Sequence, residues 1–187
     1  MAAVAPSLTI HRLDVDAYDH MVASGALEGQ PVELLEGLLV EVMSPQSPAH
    51  AAVIEELERH LASAKARLRT QLPLKVPPDA EPEPDLALVA EKPPPGQHPR
   101  TALLAVEVAV TSHEADRGLK AELYARAGVP TYWLVDVPGK AVEVRTDPGP
   151  DGYRGLEVYG LDGAVPCPVE GVADLDVGAL LNDLSGD

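Results

Sequence analysis

The chain has 187 residues, with 14 Lys and Arg against 30 Asp and Glu, a formal net charge of −16. That balance works against nonspecific binding to nucleic acid, whose affinity comes from cations on phosphates, and the lone Cys167 excludes an intramolecular disulfide or a cysteine-rich zinc site. With 45% hydrophobic residues the chain can fill one core, built from Leu, Val and Ala because phenylalanine is absent.

In chain order, residues 14–23 read as a short helix closing at Gly25. Runs over 32–35 and 38–43 read as strands joined by Glu36-Gly37, a tight hairpin signal. Ser47 caps a helix with Pro48 at its first position. Its apolar stripe is Val53, Ile54, Leu57, Leu61, Ala64 and Leu68. Lys65, Arg67 and Arg69 gather at the end of that stripe, where they suit the helix dipole or, alternatively, a phosphate. A strand over 71–76, a proline-acid connector over 77–84 and a strand over 86–90 opened by Asp85 follow. After a proline-rich loop come a strand over 103–110, a helix from about 114 to 127 closed by Gly128 and Pro130, and a strand over 131–136. Further strands over 141–145 and 153–159 and a short helix over 177–184 complete the chain. The order predicts an α/β fold in which helices flank a central sheet of mixed direction. The expectation is a single domain over 1–187, with a core at about 8–140 and C-terminal strands and a short helix over 141–187. No apolar run is long enough to span a membrane and no secretory signal is evident, so a cytoplasmic protein is expected.

The run over 103–110 is aliphatic at every position except Glu107. A carboxylate in a strand covered on both faces loses several kcal/mol of solvation, on the order of 5, unless a cation meets it. An arginine or lysine partner is one escape and a metal ion the other. Asp85 at the start of one strand and Glu107 in the middle of the next can hold one hard divalent cation, with the Val108 carbonyl as a further ligand. Lys120, on the following helix, can orient or deprotonate a water there. Each residue has a plainer reading. Asp85 also reads as the end of its strand in solvent, Lys120 and Asp116 as a surface i,i+4 pair, His50 first as a core histidine, and Glu33 equally as a solvated position.

Asp85, Glu107 and Lys120 resemble the Asp…Glu-x-Lys signature of the restriction-endonuclease-like nucleases. More narrowly, the chain resembles the Uma2 family of endonucleases. The matching pieces are Glu33-Leu34-Leu35-Glu36-Gly37, Ser44-Pro45 followed by His50, Pro84-Asp85, Val106-Glu107-Val108, Asp116 with Lys120, Tyr124, and Tyr132-Trp133-Leu134-Val135-Asp136. They span about residues 8–140. Two features depart from the pattern: Ala109 stands where the lysine belongs, and Val110-Thr111-Ser112-His113 differs from a Ser-Pro-Ser type of text. The resemblance implies that Lys120 supplies the displaced lysine.

The resemblance further implies a restriction-endonuclease-like fold and an endonuclease that hydrolyses DNA with Mg²⁺ or Mn²⁺. Asp85, Glu107 and Lys120 would be catalytic, Asp85, Glu107 and Val108 would hold the metal, and Glu33 and His50 are further candidates. A homodimer is expected, its DNA groove drawn from Arg59, Lys65, Arg67, Arg69 and Arg117. The competing expectation is a catalytically silent module that keeps the fold and binds a protein partner. Hydrolysis of a small phosphate ester ranks third.

Overall fold

The computed structural model describes residues 9–41, 47–110 and 116–182. Asp14 caps α1 (Val15–Ala23) by accepting the Ala17 N–H at 2.8 Å. β1 (Val32–Leu35) and β2 (Leu38–Glu41) form the expected hairpin. Glu36 and Gly37 both take positive φ, 48° and 77°, the geometry of a two-residue turn that matches strand twist. Gly37 has a second reason to be glycine, because an added Cβ would stand 2.9 Å from the Leu13 carbonyl oxygen.

A six-stranded sheet follows, in the spatial order β3 (Arg67–Thr70), β4 (Leu86–Val89), β5 (Leu104–Ala109), β6 (Thr131–Asp136), β7 (Ala141–Gly149), β8 (Gly152–Tyr159). Only β5 and β6 run parallel; the other neighbours are antiparallel. The sheet is therefore mixed, as expected. The crossover between β5 and β6 carries a π-helical turn (Asp116–Lys120) that continues into α3 (Ala121–Arg126).

Period-two alternation divides the sheet into two faces. Val106, Val108, Trp133, Val135, Val142 and Val144 face α2 (Pro48–Leu61) and α4 (Val177–Leu181). α2 contributes Val53, Ile54, Leu57 and Leu61, each worth roughly 1.5–3 kcal/mol of burial. Ala87, Ala105, Ala109, Tyr132 and Leu134 face the other way, under Leu123 and Tyr124 of α3. Two-residue strands β9 (Ala164–Val165) and β10 (Leu175–Asp176) pair beside α4.

Several expectations need correction. α2 stops at Leu61, and Leu68 lies opposite Leu88 on β3 while still packing into the same core. A three- or four-residue spacing fits a strand returning to one core as well as it fits a continuing helix. Lys65, Arg67 and Arg69 therefore do not sit on a helix end. Residues 71–76 are not a strand: Leu74 and Lys75 donate to the Pro82 and Pro99 carbonyls, and Val76 makes one isolated bridge to Ala80. β7 runs to Gly149 rather than 145. The last helix stops at Leu181, before the expected 184. The end of the second hairpin strand, Ser44-Pro45, Thr111-Ser112-His113, the helix start near Glu114 and positions 183–184 lie outside the described residues. Among the described residues no helix is long and apolar enough to cross a membrane.

Candidate active site

The register pairs Leu86 with Val106 and Ala87 with Ala105, which sets Asp85 across from Glu107 on the α3 face. Asp85 extends the ladder with its side chain. Its Oδ2 accepts the Val108 N–H at 2.8 Å and meets His50 Nε2 at 3.1 Å. His50 stands in the first turn of α2, held there by the Ser47 cap and Pro48. It contacts Asp85 rather than serving only as core filling. The bond to Asp85 raises the His50 imidazole above its ordinary value, outweighing burial, which acts the other way.

Glu107 is 3% exposed. Two donors converge on its Oε1: the Tyr124 hydroxyl at 2.5 Å and Lys120 Nζ at 3.1 Å. Lys120 also stands 3.5 Å from Glu33 Oε1. Glu33 itself is buried on β1, so the solvated reading of that residue fails. Burial lifts the carboxyls of both Glu107 and Glu33 above the usual range, with Lys120 opposing. For Lys120, burial disfavours the charge, but Glu107, Glu33 and Asp116 more than reverse it, so the ammonium is held.

Asp116 opens the π-turn and is buried, so the surface pair with Lys120 is not formed in solvent. Its backbone carbonyl accepts the Tyr132 hydroxyl at 3.1 Å, and its charge acts on Glu107, Lys120 and His50. π-turns in helices often mark functional positions. Two neighbours carry no site role in the sequence alone, Tyr124 entering only as a matching piece of the resemblance. Tyr124 lies four residues after Lys120, a spacing that places both on one helix face and could have identified it. Glu83, between two prolines, is raised by burial and lowered by Lys120; no local pattern singles it out.

The donor set is hard carboxylate oxygen plus one imidazole. Glu33 Oε2 and His50 Nδ1 are buried without a hydrogen-bond partner. Among the described residues no three His, Cys, Asp or Glu side chains form a ready cage. Mg²⁺ and Mn²⁺ do not require one, since Mg²⁺ commonly binds through one or two carboxylates and keeps its waters, so the residues fit such an ion.

The basic residues expected to line a groove are distributed, and four of the five are engaged with other groups. Arg59 pairs with Glu56 and Lys65 with Glu170. Arg117 spans Asp136 at 2.7 Å and Glu143 at 2.6 Å. Arg69 reaches the Pro73 carbonyl at 3.3 Å, and Arg67 lies exposed on the edge strand β3.

The mixed six-stranded sheet, flanked by helices on both faces, defines a nuclease-like fold. The family model described as "Uma2: Putative restriction endonuclease" matches residues 15–177, and the chain belongs to that family. The match extends past the 140 boundary to take in β7 and β8. Among solved structures, the chain is similar to a crystal structure described as a "putative nuclease" from Anabaena variabilis. The TM-score is 0.67 at 19% identity, covering 82% of this chain and 92% of that one, a likeness of fold. Among curated proteins, none matches.

Proposed function

We propose that the protein is a Mg²⁺- or Mn²⁺-dependent endonuclease that hydrolyses phosphodiester bonds in DNA. Asp85, Glu107 and the Val108 carbonyl would hold the ion, with Glu33 and His50 beside them. The observation that carries this reading is the cross-strand placement of Asp85 and Glu107 with Lys120 Nζ 3.1 Å from the glutamate.

Each residue then has a task. His50 and the Val108 N–H fix the Asp85 carboxylate, and Tyr124 fixes one oxygen of Glu107, leaving the remaining oxygens to the ion. A bound divalent ion supplies Lewis-acid stabilisation of charge developing on the phosphate. Lys120 is held as an ammonium by its acids, which favours an electrostatic role toward a phosphate oxygen over a general base. A homodimer, with one site for each strand of a duplex, completes the proposal.

The experiment is a cleavage assay over DNA topologies with Mg²⁺ and Mn²⁺, joined to Mn²⁺-dependent melting. Mn²⁺ should raise the melting temperature of the parent by relieving repulsion between Asp85 and Glu107, and Glu107→Gln should abolish that gain together with cleavage. Lys120→Ala should keep Mn²⁺ affinity and lose about a hundredfold or more in turnover. Equal Mn²⁺ stabilisation of parent and Glu107→Gln would overturn the shared site. A silent module that binds a protein partner is favoured by one observation, that Lys120 already bridges Glu107 and Glu33; it predicts no Mn²⁺ response. Sedimentation of a single 19.7 kDa species would remove the dimer.

A further inference from the structure

A cleft of about 470 Å³ opens between α1, the loop that leads into β1, and the segment carrying Glu81 and Glu83. Its lining includes Glu28, Glu81, Glu83 and His98, with no lysine or arginine. Val22, Leu27, Val32 and Pro73 supply apolar wall. Glu81 is 4% exposed, and its Oε2 has no hydrogen-bond partner. A buried carboxylate in that state is unfavourable unless a cation reaches it.

The neighbouring cations are engaged elsewhere. Lys75 pairs with Asp19. His98 stands 3.9 Å from Glu81 Oε1, and its Nδ1 lies 3.5 Å from Arg69 Nη2, which together with burial disfavours the charged imidazole. Burial accordingly pushes Glu81 up to about 7. Three acids repel a phosphate. Among the described residues no acid–histidine group is arranged to hold a metal ion, and the cleft is far larger than one.

We propose that this cleft binds an organic cation, a primary ammonium or guanidinium on a short aliphatic stem, with the charge on Glu81 and the stem against Val22, Leu27 and Pro73. The ammonium hydrogen-bonds the orphaned carboxylate, and the methylenes bury apolar wall that water now covers. Glu83 lines the cleft and also senses Lys120, which ties the cleft electrostatically to the candidate active site. The inference stands whether or not those acids bind a metal.

The test is an NMR titration of amide shifts in the full chain with n-butylamine, n-butanol as the neutral control, and N-acetyl-lysine methylamide as a capped side chain. Saturable shifts around Leu27, Val32 and Glu83 are expected with the amine and not with the alcohol. Glu81→Gln should weaken binding about tenfold, the scale of one charge-assisted hydrogen bond, with its melting temperature kept as the fold control. Glu28→Lys, at an exposed position, should weaken binding similarly by offering the cleft its own ammonium. Binding of the capped lysine as tightly as butylamine supports the proposal with a protein side chain as the source; binding of butylamine alone supports it with a free amine. Equal shifts from amine and alcohol, or undiminished amine binding by both variants, would overturn it.

Discussion

On β5, Val106 and Val108 point to one face of the sheet and Glu107 to the other, and the two faces behave as different materials. The first is dry and aliphatic, closed by α2 and α4 around Trp133, which is fully buried. The second places Glu107 opposite Leu134, and Leu134 opposite Glu143, in one row that the π-turn crosses with Lys120 and Arg117. Burial is nearly complete on both sides, yet only the second holds charge. Stability belongs to the first face, where volume decides. On the second face the charges are kept by one another, and protons or ions set their energy.

The sharpest way to test this division is to damage the dry face. Trp133→Ala should cost about 3–5 kcal/mol of unfolding free energy through the cavity it leaves, with a loss in urea midpoint that is the same at acid and alkaline pH. A strongly pH-dependent loss would show that the two faces are coupled.

Next comes Lys120→Met, which keeps volume and removes the ammonium from Glu107 and Glu33. In chelator-treated buffer it should cost about 3 kcal/mol at mildly alkaline pH, the scale for stranding a buried charge. Both acids already have raised folded-state values, and losing the lysine raises them further. The native state then binds protons that the unfolded state has released, so stability falls as pH rises through that window and recovers on acidification. Urea midpoints at about pH 5 and about pH 8 check the sign. A loss that does not shrink in acid would mean the lysine is needed for packing alone.

The smallest effect is expected at the border between the faces, where His50 of α2 meets Asp85. His50→Asn, again without metal, should cost about 0.5–1 kcal/mol. The folded-state value of this imidazole is raised above 6.5. Its contribution is therefore complete below that pH and is lost as pH rises through the folded value. A parent–variant difference that grows with pH would refute the assignment.

Much of the frame was legible in order along the chain. β6 falls on the expected residues 131–136, the hairpin turns at Glu36-Gly37, and Asp14 and Ser47 cap α1 and α2. Each depends on local chemistry: a cap, a positive φ, or an unbroken apolar run. Glu107 also stood out as a candidate, because an acid inside an aliphatic strand is conspicuous without any fold, whereas Asp85 stands only at a strand start.

What remained illegible depended on which groups meet in space. Leu61, Ala64 and Leu68 fit a helical stripe, and only the pairing of Leu68 with Leu88 shows the strand. Asp116 and Lys120 have the spacing of a surface pair, and only the packing of the crossover against β5 buries both. Glu33 came to the candidate site because the hairpin brings it to 3.5 Å from Lys120, and Glu81 kept one oxygen without a hydrogen bond, with Lys75 paired to Asp19 and His98 3.9 Å from the other oxygen. Local conformation is a property of neighbours in the chain, and sequence determines it. Burial and charge environment are set by residues dozens of positions away, so the tertiary structure alone decides them.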